Sequence, residues 1–250
     1  MKYLLVALSM IVSMCLFMFK RAFENNLVTH EVKLNNQKKY NPVNMLFISD
    51  IHRRSVSEKW LMSLPETDIA VIGGDITEKG VSYEKVRKNA ALIASNKKTY
   101  FVFGNNDEEV DKTLLTDILE NEGITVLENE SVKCHLNEGL VIAGVGDINY
   151  QKDDIKKTMA DIHDEDVILL SHDPRITKKL NQITNASNIK LILSGHTHGG
   201  QIRFFGFGPY QKGRMERKPQ YAHLISNGFG TTLLPLRLGA KSEVHLIRIV

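Results

Sequence analysis

A chain of 250 residues is long enough for one sizeable domain or two small ones. Hydrophobic residues make up 42% and charged residues 24%, ordinary for a globular core. The formal net charge of +3 is too small to imply a nucleic-acid partner, which needs a strongly basic domain. The two cysteines, Cys15 and Cys134, have no zinc-ligand spacing and are not expected to pair.

From the N-terminus, Tyr3 to Phe19 is apolar except for Ser9 and Ser13, and Lys20-Arg21 closes the run. Seventeen helical residues reach roughly 26 Å, just under a bilayer core of about 30 Å. No small-x-small cleavage site follows, so residues 1–22 read as an uncleaved single-pass membrane anchor, with a signal peptide as the alternative. Lys20, Arg21, Lys33, Lys38 and Lys39 follow the run while only Lys2 and the α-amine precede it, which favours a cytoplasmic body. Residues 23–42, rich in Asn and Lys, read as a tether or an irregular edge strand. Residues 43–250 read as one catalytic domain.

From Val43 onward, short apolar runs end in polar motifs and are followed by helix-like segments. The runs are Val43–Ile48, Ile69–Ile72, Thr99–Phe103, Leu140–Val145, Val167–Leu170 and Ile189–Leu193. Their unbroken apolar character predicts strands buried on both faces. Ser82–Ser95, Glu108–Asn121 and Asp153–Ile162 carry apolar positions at helical spacing. Strands alternating with helices predict an α/β domain. Beyond His198, Thr231–Leu238 and Glu243–Val250 read as antiparallel strands closing the sheet.

Five motifs sit at the carboxyl ends of predicted strands, where open α/β sheets collect ligand groups. They are Ser49-Asp50-Ile51-His52, Gly73-Gly74-Asp75, Gly104-Asn105-Asn106-Asp107, Ser171-His172-Asp173 and Gly195-His196-Thr197-His198. Asp50 and His52 are two apart on a turn, so both can reach one ion. Asp75 has two oxygens able to bridge ions, Asn105 offers a neutral carbonyl, and His172, His196 and His198 bring imidazoles. Mixed oxygen and imidazole sites suit Mn, Fe, Zn or a mixture of them. Burying all these polar groups without a shared purpose would be costly.

With those motifs in place, the sequence resembles the calcineurin-like metallophosphoesterases, whose pattern is Asp-x-His, Gly-Asp, Gly-Asn-His/Asp, a separate His and Gly-His-x-His. The resemblance covers about Val43 to Val250. It extends to small bacterial members with an N-terminal membrane segment, because Gly228 to Arg237 is similar to their C-terminal signature. That branch includes hydrolases of UDP-diacylglucosamine, a lipid-linked diphosphate. The resemblance implies a layered sandwich with central mixed β-sheets flanked by helices. It also implies two divalent metal ions: Asp50, His52, Asp75 and His198 hold one, and Asp75, Asn105, His172 and His196 the other. A hydroxide bridging both ions would attack the phosphorus. Paired ions about 3.5–4 Å apart lower the pKa of bound water and clamp the attacking and leaving oxygens.

One position departs from the pattern. Many members carry His after the metal-binding Asn, to protonate the leaving group, and here Asn106 stands there, followed by Asp107. A carboxamide has no titrating proton, and a positioned acid is typically worth about 10²–10⁴-fold. A phosphate leaving group, with a second pKa near 6, needs that help far less than an alkoxide. The expectation is therefore a phosphoanhydride or activated phosphodiester, with Asn106 and Asp107 as the catalytic-position residues. Arg237 is expected to contact a substrate phosphate. Phe204, Phe205 and Phe207 read as core packing, with an acyl or base pocket as the alternative. Lys212, Arg214, Arg217 and Lys218 read as a solvated loop or a surface for anionic headgroups. The expected partners are a phosphorylated small molecule or lipid-linked substrate and a membrane. A general nucleotide phosphodiesterase and a catalytically weak metal-binding interaction module are the competing readings.

Overall fold

The computed structural model describes residues 1–34, 38 and 40–250; Lys39 and residues 35–37 of the expected tether lie outside the described residues. In chain order the strands are β1 (Asn26–Val32), β2 (Val43–Ile48), β3 (Ile69–Ile72), β4 (Lys98–Phe101), β5 (Ile124–Val126), β6 (Glu130–Lys133), β7 (Leu140–Gly144), β8 (Asp166–Leu170), β9 (Ile189–Ser194), β10 (Arg214–Arg217), β11 (Ala222–Ile225) and β12 (Glu243–Ile249). The helices are α1 (Lys2–Ala22), α2 (Glu58–Leu61), α3 (Tyr83–Ala94), α4 (Lys112–Asn121) and α5 (Ile155–Thr158).

Two six-stranded sheets form, in the orders β1-β12-β2-β3-β4-β5 and β10-β11-β9-β8-β7-β6. Side chains alternate across a strand, and here both sets are apolar. Met45, Phe47 and Val71 face Ile168, Leu170, Leu191 and Leu193 between the sheets. The intervening Leu46, Ile48, Ala70 and Ile72 pack outward on Val86, Ala90 and Ile93 of α3 and Leu115, Ile118 and Leu119 of α4. Val141, Val167, Leu169 and Ile192 pack on Ile155, Met159, Ile176 and Leu180 on the opposite outer face. The result is a helix–sheet–sheet–helix sandwich, the layered α/β arrangement expected. β2 to β5 run parallel, as do β7, β8, β9 and β11, so their carboxyl ends open on one rim.

Helix boundaries follow their caps. Ser82 accepts from the Lys85 amide at the start of α3, and Asp111 from the Leu114 amide at the start of α4. Glu108 falls in a 3₁₀ turn ahead of that second cap, so the helix expected from Glu108 begins at Lys112. The helix expected over Asp153–Ile162 shrinks to α5. β1 is an edge strand parallel to β12, and β12 runs antiparallel to β2. Thr231–Leu238 is not a strand but a loop, because Leu233 and Leu234 point away from the sheet and Pro235 interrupts any ladder.

α1 is long and apolar enough to cross a membrane. Among the described residues, its C-terminal end packs on the body. Met18 and Ala22 are buried, the Arg237 amide donates to the Met18 carbonyl at 3.0 Å, and Arg54 donates to the carbonyls of Ala22, Phe23 and Glu24.

Candidate metal centre

Five of the strands that end on the common rim, β2, β3, β4, β8 and β9, release a ligand motif into the turn that follows. Asp50, His52, Asp75, His196 and His198 all have positive φ, between 50° and 71°. For non-glycine residues that backbone is uncommon, and each case costs on the order of 1 kcal/mol or more. Such turns swing side chains from successive motifs toward one point.

Two overlapping groups of ligand atoms converge there. Asp50, His52 and His198 form one, and Asp50, Asp75 and His172 the other. His52 Nε2 and His198 Nε2 face each other at 3.0 Å, and Asp50 Oδ1 is 3.4 Å from His198 Nε2. Asp75 Oδ2 lies 3.7 Å from His52 Nε2 and 3.2 Å from His172 Nε2, so it stands between the two groups. Asn105 Oδ1 and His196 Nδ1 meet at 2.8 Å beside them. All seven candidate ligands therefore reach one site. Asp50, which the resemblance places on one ion only, touches both groups.

The donor set fits divalent cations. Among the described residues, Asp50 Oδ2 and His172 Nε2 are buried with no hydrogen-bond partner, which would be costly for groups that bind nothing. Partners behind the rings fix their orientation. His172 Nδ1 sits 2.8 Å from the Gly73 carbonyl, which directs Nε2 at the site. His52 Nδ1 sits 3.1 Å from Glu78 Oε2. A carboxylate behind a ligating imidazole sets its tautomer and raises its basicity.

The electrostatics are those of a cation trap. Burial alone would lower the pKa of His52 and His172, but Glu78 and Asp75 for the first, and Asp75 for the second, outweigh it and raise both. Burial opposes ionisation of Asp75, yet the charges of His172 and His52 hold its carboxyl well below the usual range. The negative charge that holds protons on these rings also attracts divalent cations, so protons and metals compete for the site.

Asn106 and Asp107 do not present free acid groups. The Asn106 backbone and side-chain amides donate to Asp75 Oδ1 and Oδ2 at 2.8 and 2.7 Å. Asp107 is fully buried and accepts from the amides of Asp75, Thr77 and Gly104. Burial, and then the charge of Asp75, push its pKa up. It shapes the turn that aims Asp75 rather than meeting solvent.

Arg237 corrects the sequence expectation more sharply. It is 0% exposed, and its guanidinium donates to the carbonyls of Asn227, Gly228 and Gly230 and, less closely, Ala240 and Lys241. Nη2 lies 3.4 Å from His198 Nδ1, behind the metal-facing nitrogen. A side chain so enclosed braces the loops under His198 and does not meet a substrate phosphate. Glu78 is the residue the sequence reading missed, and its position three residues after Asp75, on the same turn, was the available signal.

Over the ligands lies a cleft of about 460 Å³, with Asp75, Asn105, Asn106, His196 and His198 in its floor and Ile202, Pro209, Tyr210, Leu233 and Leu234 in its wall. A second cavity of about 350 Å³ shares His196 and Tyr210 and is bordered by Arg175 and Lys212.

The sequence model of the calcineurin-like phosphoesterases matches residues 43–200, well over half of the chain, and spans all seven candidate ligands. The chain belongs to the calcineurin-like phosphoesterases. An uncharacterized protein of Bacillus subtilis, YpbG, is 39% identical over 237 residues, covering 93% of this chain and 90% of its own. An uncharacterized metallophosphoesterase of Helicobacter pylori is 28% identical over 257 residues, covering 93% and 67%. A Danio rerio transmembrane protein with a metallophosphoesterase domain is 28% identical over 232 residues, covering 82% and 52%. Among solved structures, a 5′-nucleotidase precursor from Thermus thermophilus shares the fold, with TM-score 0.51 and 11% identity over 83% of this chain and 55% of that one. This phosphoesterase thus spans about half the length of that nucleotidase. Family and donor set together make it a metal-dependent phosphoester hydrolase.

Proposed function

We propose that this phosphoesterase cleaves phosphoanhydrides or activated phosphodiesters, on a lipid-linked or nucleotide-type substrate reached from a membrane surface. The observation that carries the reading is the state of Asn106. The side chain next to Asn105 at the cleft floor is a carboxamide spent on Asp75, and the carboxyl beyond it is buried. A leaving group that departs as a stable anion needs no proton there. The apolar wall of the cleft beside a cavity bordered by Arg175 and Lys212 suits an amphiphile with an anionic head.

In this reading residues 1–22 anchor the chain, 43–250 form the catalytic domain, and the Lys20-Arg21 flank favours a cytoplasmic body. Asp50, His52, Asp75 and His198 would hold one divalent ion and Asp75, Asn105, His172 and His196 the other, with Asp50 positioned to touch both. Bound ions supply a nucleophile at neutral pH and neutralise charge on the phosphoryl oxygens. The chain's own part is positioning. Gly73 and Glu78 aim the imidazoles, Asn106 fixes Asp75, and the cleft walls orient the substrate.

The test compares wild type and Asn106→His on an alkyl phosphate monoester and on a diphosphate diester. Wild type should favour the diphosphate, and the variant should gain on the monoester by up to about 10². Preference of the wild type for the alkyl monoester would overturn the reading.

A further inference from the structure

Two loop tips beside the cleft carry large apolar side chains that stand mostly in solvent. Phe204 and Phe207 exchange backbone hydrogen bonds at 3.0 and 2.9 Å, closing a two-residue turn at Phe205-Gly206. Both turn residues have positive φ, 50° at Phe205 and 86° at Gly206. Asn or Asp is the usual first residue of such a turn, because a bulky side chain is strained there. Phe205 is nevertheless 100% exposed and Phe207 82%. The second tip repeats the pattern, with Leu233 at φ 59° and 95% exposed. A hydrophobe held strained and fully in water contributes nothing to folding, which directs attention to what it meets outside the protein.

The two tips are one surface. The Arg203 amide donates to the Leu238 carbonyl and that of Leu238 to Gln201, while the Gln201 side chain donates to the carbonyls of Thr232 and Leu234. Arg203 pins the hairpin through the carbonyls of Gly199 and Gly206. The same loop is fastened to α1, since the Arg237 amide donates to the Met18 carbonyl. Met18 lies inside the apolar run of α1, not beyond it. A body fastened at that point has no linker separating it from whatever surrounds the helix. The apolar run is also a few ångströms shorter than a typical bilayer core, roughly 26 against 30 Å, and such a deficit draws flanking residues into the interface.

We propose that the Phe204–Phe207 hairpin and the Leu233 tip insert into the bilayer surface next to α1, seating the mouth of the catalytic cleft against the lipid headgroups. Leu233 and Leu234 belong both to this surface and to the cleft wall, so a lipid-borne substrate enters without crossing bulk water. The inference rests on the reading of α1 as an anchor, not on which phosphate bond is cleaved. Phe and Leu side chains are those that interfacial elements bury at the headgroup–acyl boundary, and that burial adds to what α1 contributes.

The test uses the full chain with Trp60→Phe, which removes its one tryptophan, and a reporter at Phe205→Trp. A matched control carries Leu114→Trp on α4, which packs on β5 at the sheet edge opposite β1. Both are reconstituted in phosphatidylcholine–phosphatidylglycerol vesicles, with and without brominated acyl chains. The proposal expects both proteins to co-float with vesicles, and emission from the Phe205→Trp protein to shift to the blue and be lost with brominated lipid. The Leu114→Trp protein should show neither change. Co-flotation with equal, unquenched emission from both overturns the insertion and leaves the anchor standing. Failure to co-float overturns the anchor, and the insertion with it.

Discussion

Replacing Arg237 by Met separates a scaffolding arginine from a substrate-binding one. Met keeps much of the length and volume but donates no hydrogen bond. Three carbonyls, those of Asn227, Gly228 and Gly230, lose donors at 2.6, 3.1 and 2.6 Å, and Ala240 and Lys241 lose weaker ones at 3.2 and 3.3 Å. A buried acceptor left unpaired costs about 1–3 kcal/mol; Gly228 keeps the Glu243 amide at 3.1 Å, so the Asn227 and Gly230 carbonyls alone lose roughly 2–6, and Ala240 and Lys241 add to it. Part is returned because a buried guanidinium is itself expensive to desolvate, by several kcal/mol. That burden is visible in its pKa, which burial pushes down to about 10. The net expectation is a loss of about 3–5 kcal/mol. For a chain of this size that lowers Tm by roughly 6–20 °C, read by thermal unfolding followed by circular dichroism. Metal affinity should fall too, because His198 loses the brace behind it, while KM of whatever folded enzyme remains should change little. An unchanged Tm with KM raised tenfold or more would refute this reasoning and place the guanidinium on the substrate.

Glu78→Gln keeps the size of the group behind His52 and removes its charge, so metal binding should weaken about 10–100-fold with little change in Tm; titration of the purified chain with Mn²⁺ or Zn²⁺ reads it. Burial lowers the pKa of His223 to about 4 and of His245 to about 3, and both bond to serine hydroxyls away from the ligand cluster. Unfolded histidine titrates near 6.5, so between that pH and the folded values the unfolded chain binds more protons and stability falls as pH falls. Down to pH 4.5, about two units below the unfolded value, each histidine contributes up to about 3 kcal/mol to that loss. Chemical denaturation midpoints measured from pH 7 to 4.5 should decline, and His223→Gln should flatten the slope; an unchanged slope would show that the imidazole is not buried neutral.

The inner strands were legible because burial on both faces leaves unbroken runs of Val, Ile and Leu, and little else in a polar chain of this length does. Ligand identities were legible because each follows such a run directly. What misled was apolar character without a sheet to receive it. Thr231–Leu238 alternates like a strand, yet its leucines leave the protein, and Phe204 to Phe207 read as core when they are among its most exposed side chains. Hydrophobicity marks a wish to leave water, and sequence pattern does not say whether protein or lipid supplies the refuge. Arg237 failed for the mirror-image reason. A lone cation in a glycine-rich loop looks available for phosphate, but the carbonyls around that loop take up both of its terminal nitrogens from within. Glu78 was missed because its partner is an imidazole nitrogen facing away from the site, which spacing alone does not reveal.

The glycines of the ligand motifs are explained by other motifs than their own. A Cβ on Gly195 would strike Asp50 Oδ2 and come within 2.7 Å of Ser49 Oγ, and one on Gly104 would strike Asp75 Oδ1 and lie 2.6 Å from the Asp75 amide. Each clears space for a carboxylate delivered from a different strand. Five ligands with positive φ represent strain of roughly 5–10 kcal/mol in total at 1–2 kcal/mol per residue, comparable with the whole stability of a typical domain. Turns under that strain persist only where their surroundings over-determine them. Two sheets packed face to face, with apolar side chains on both surfaces, provide that constraint, and the missing Cβ atoms let the turns approach closely enough for ligands from both halves of the chain to share one site. The motif glycines and the buried inner strands are therefore parts of one device, in which the rigidity of the sandwich holds acids and imidazoles at a separation that their own charges and backbones resist.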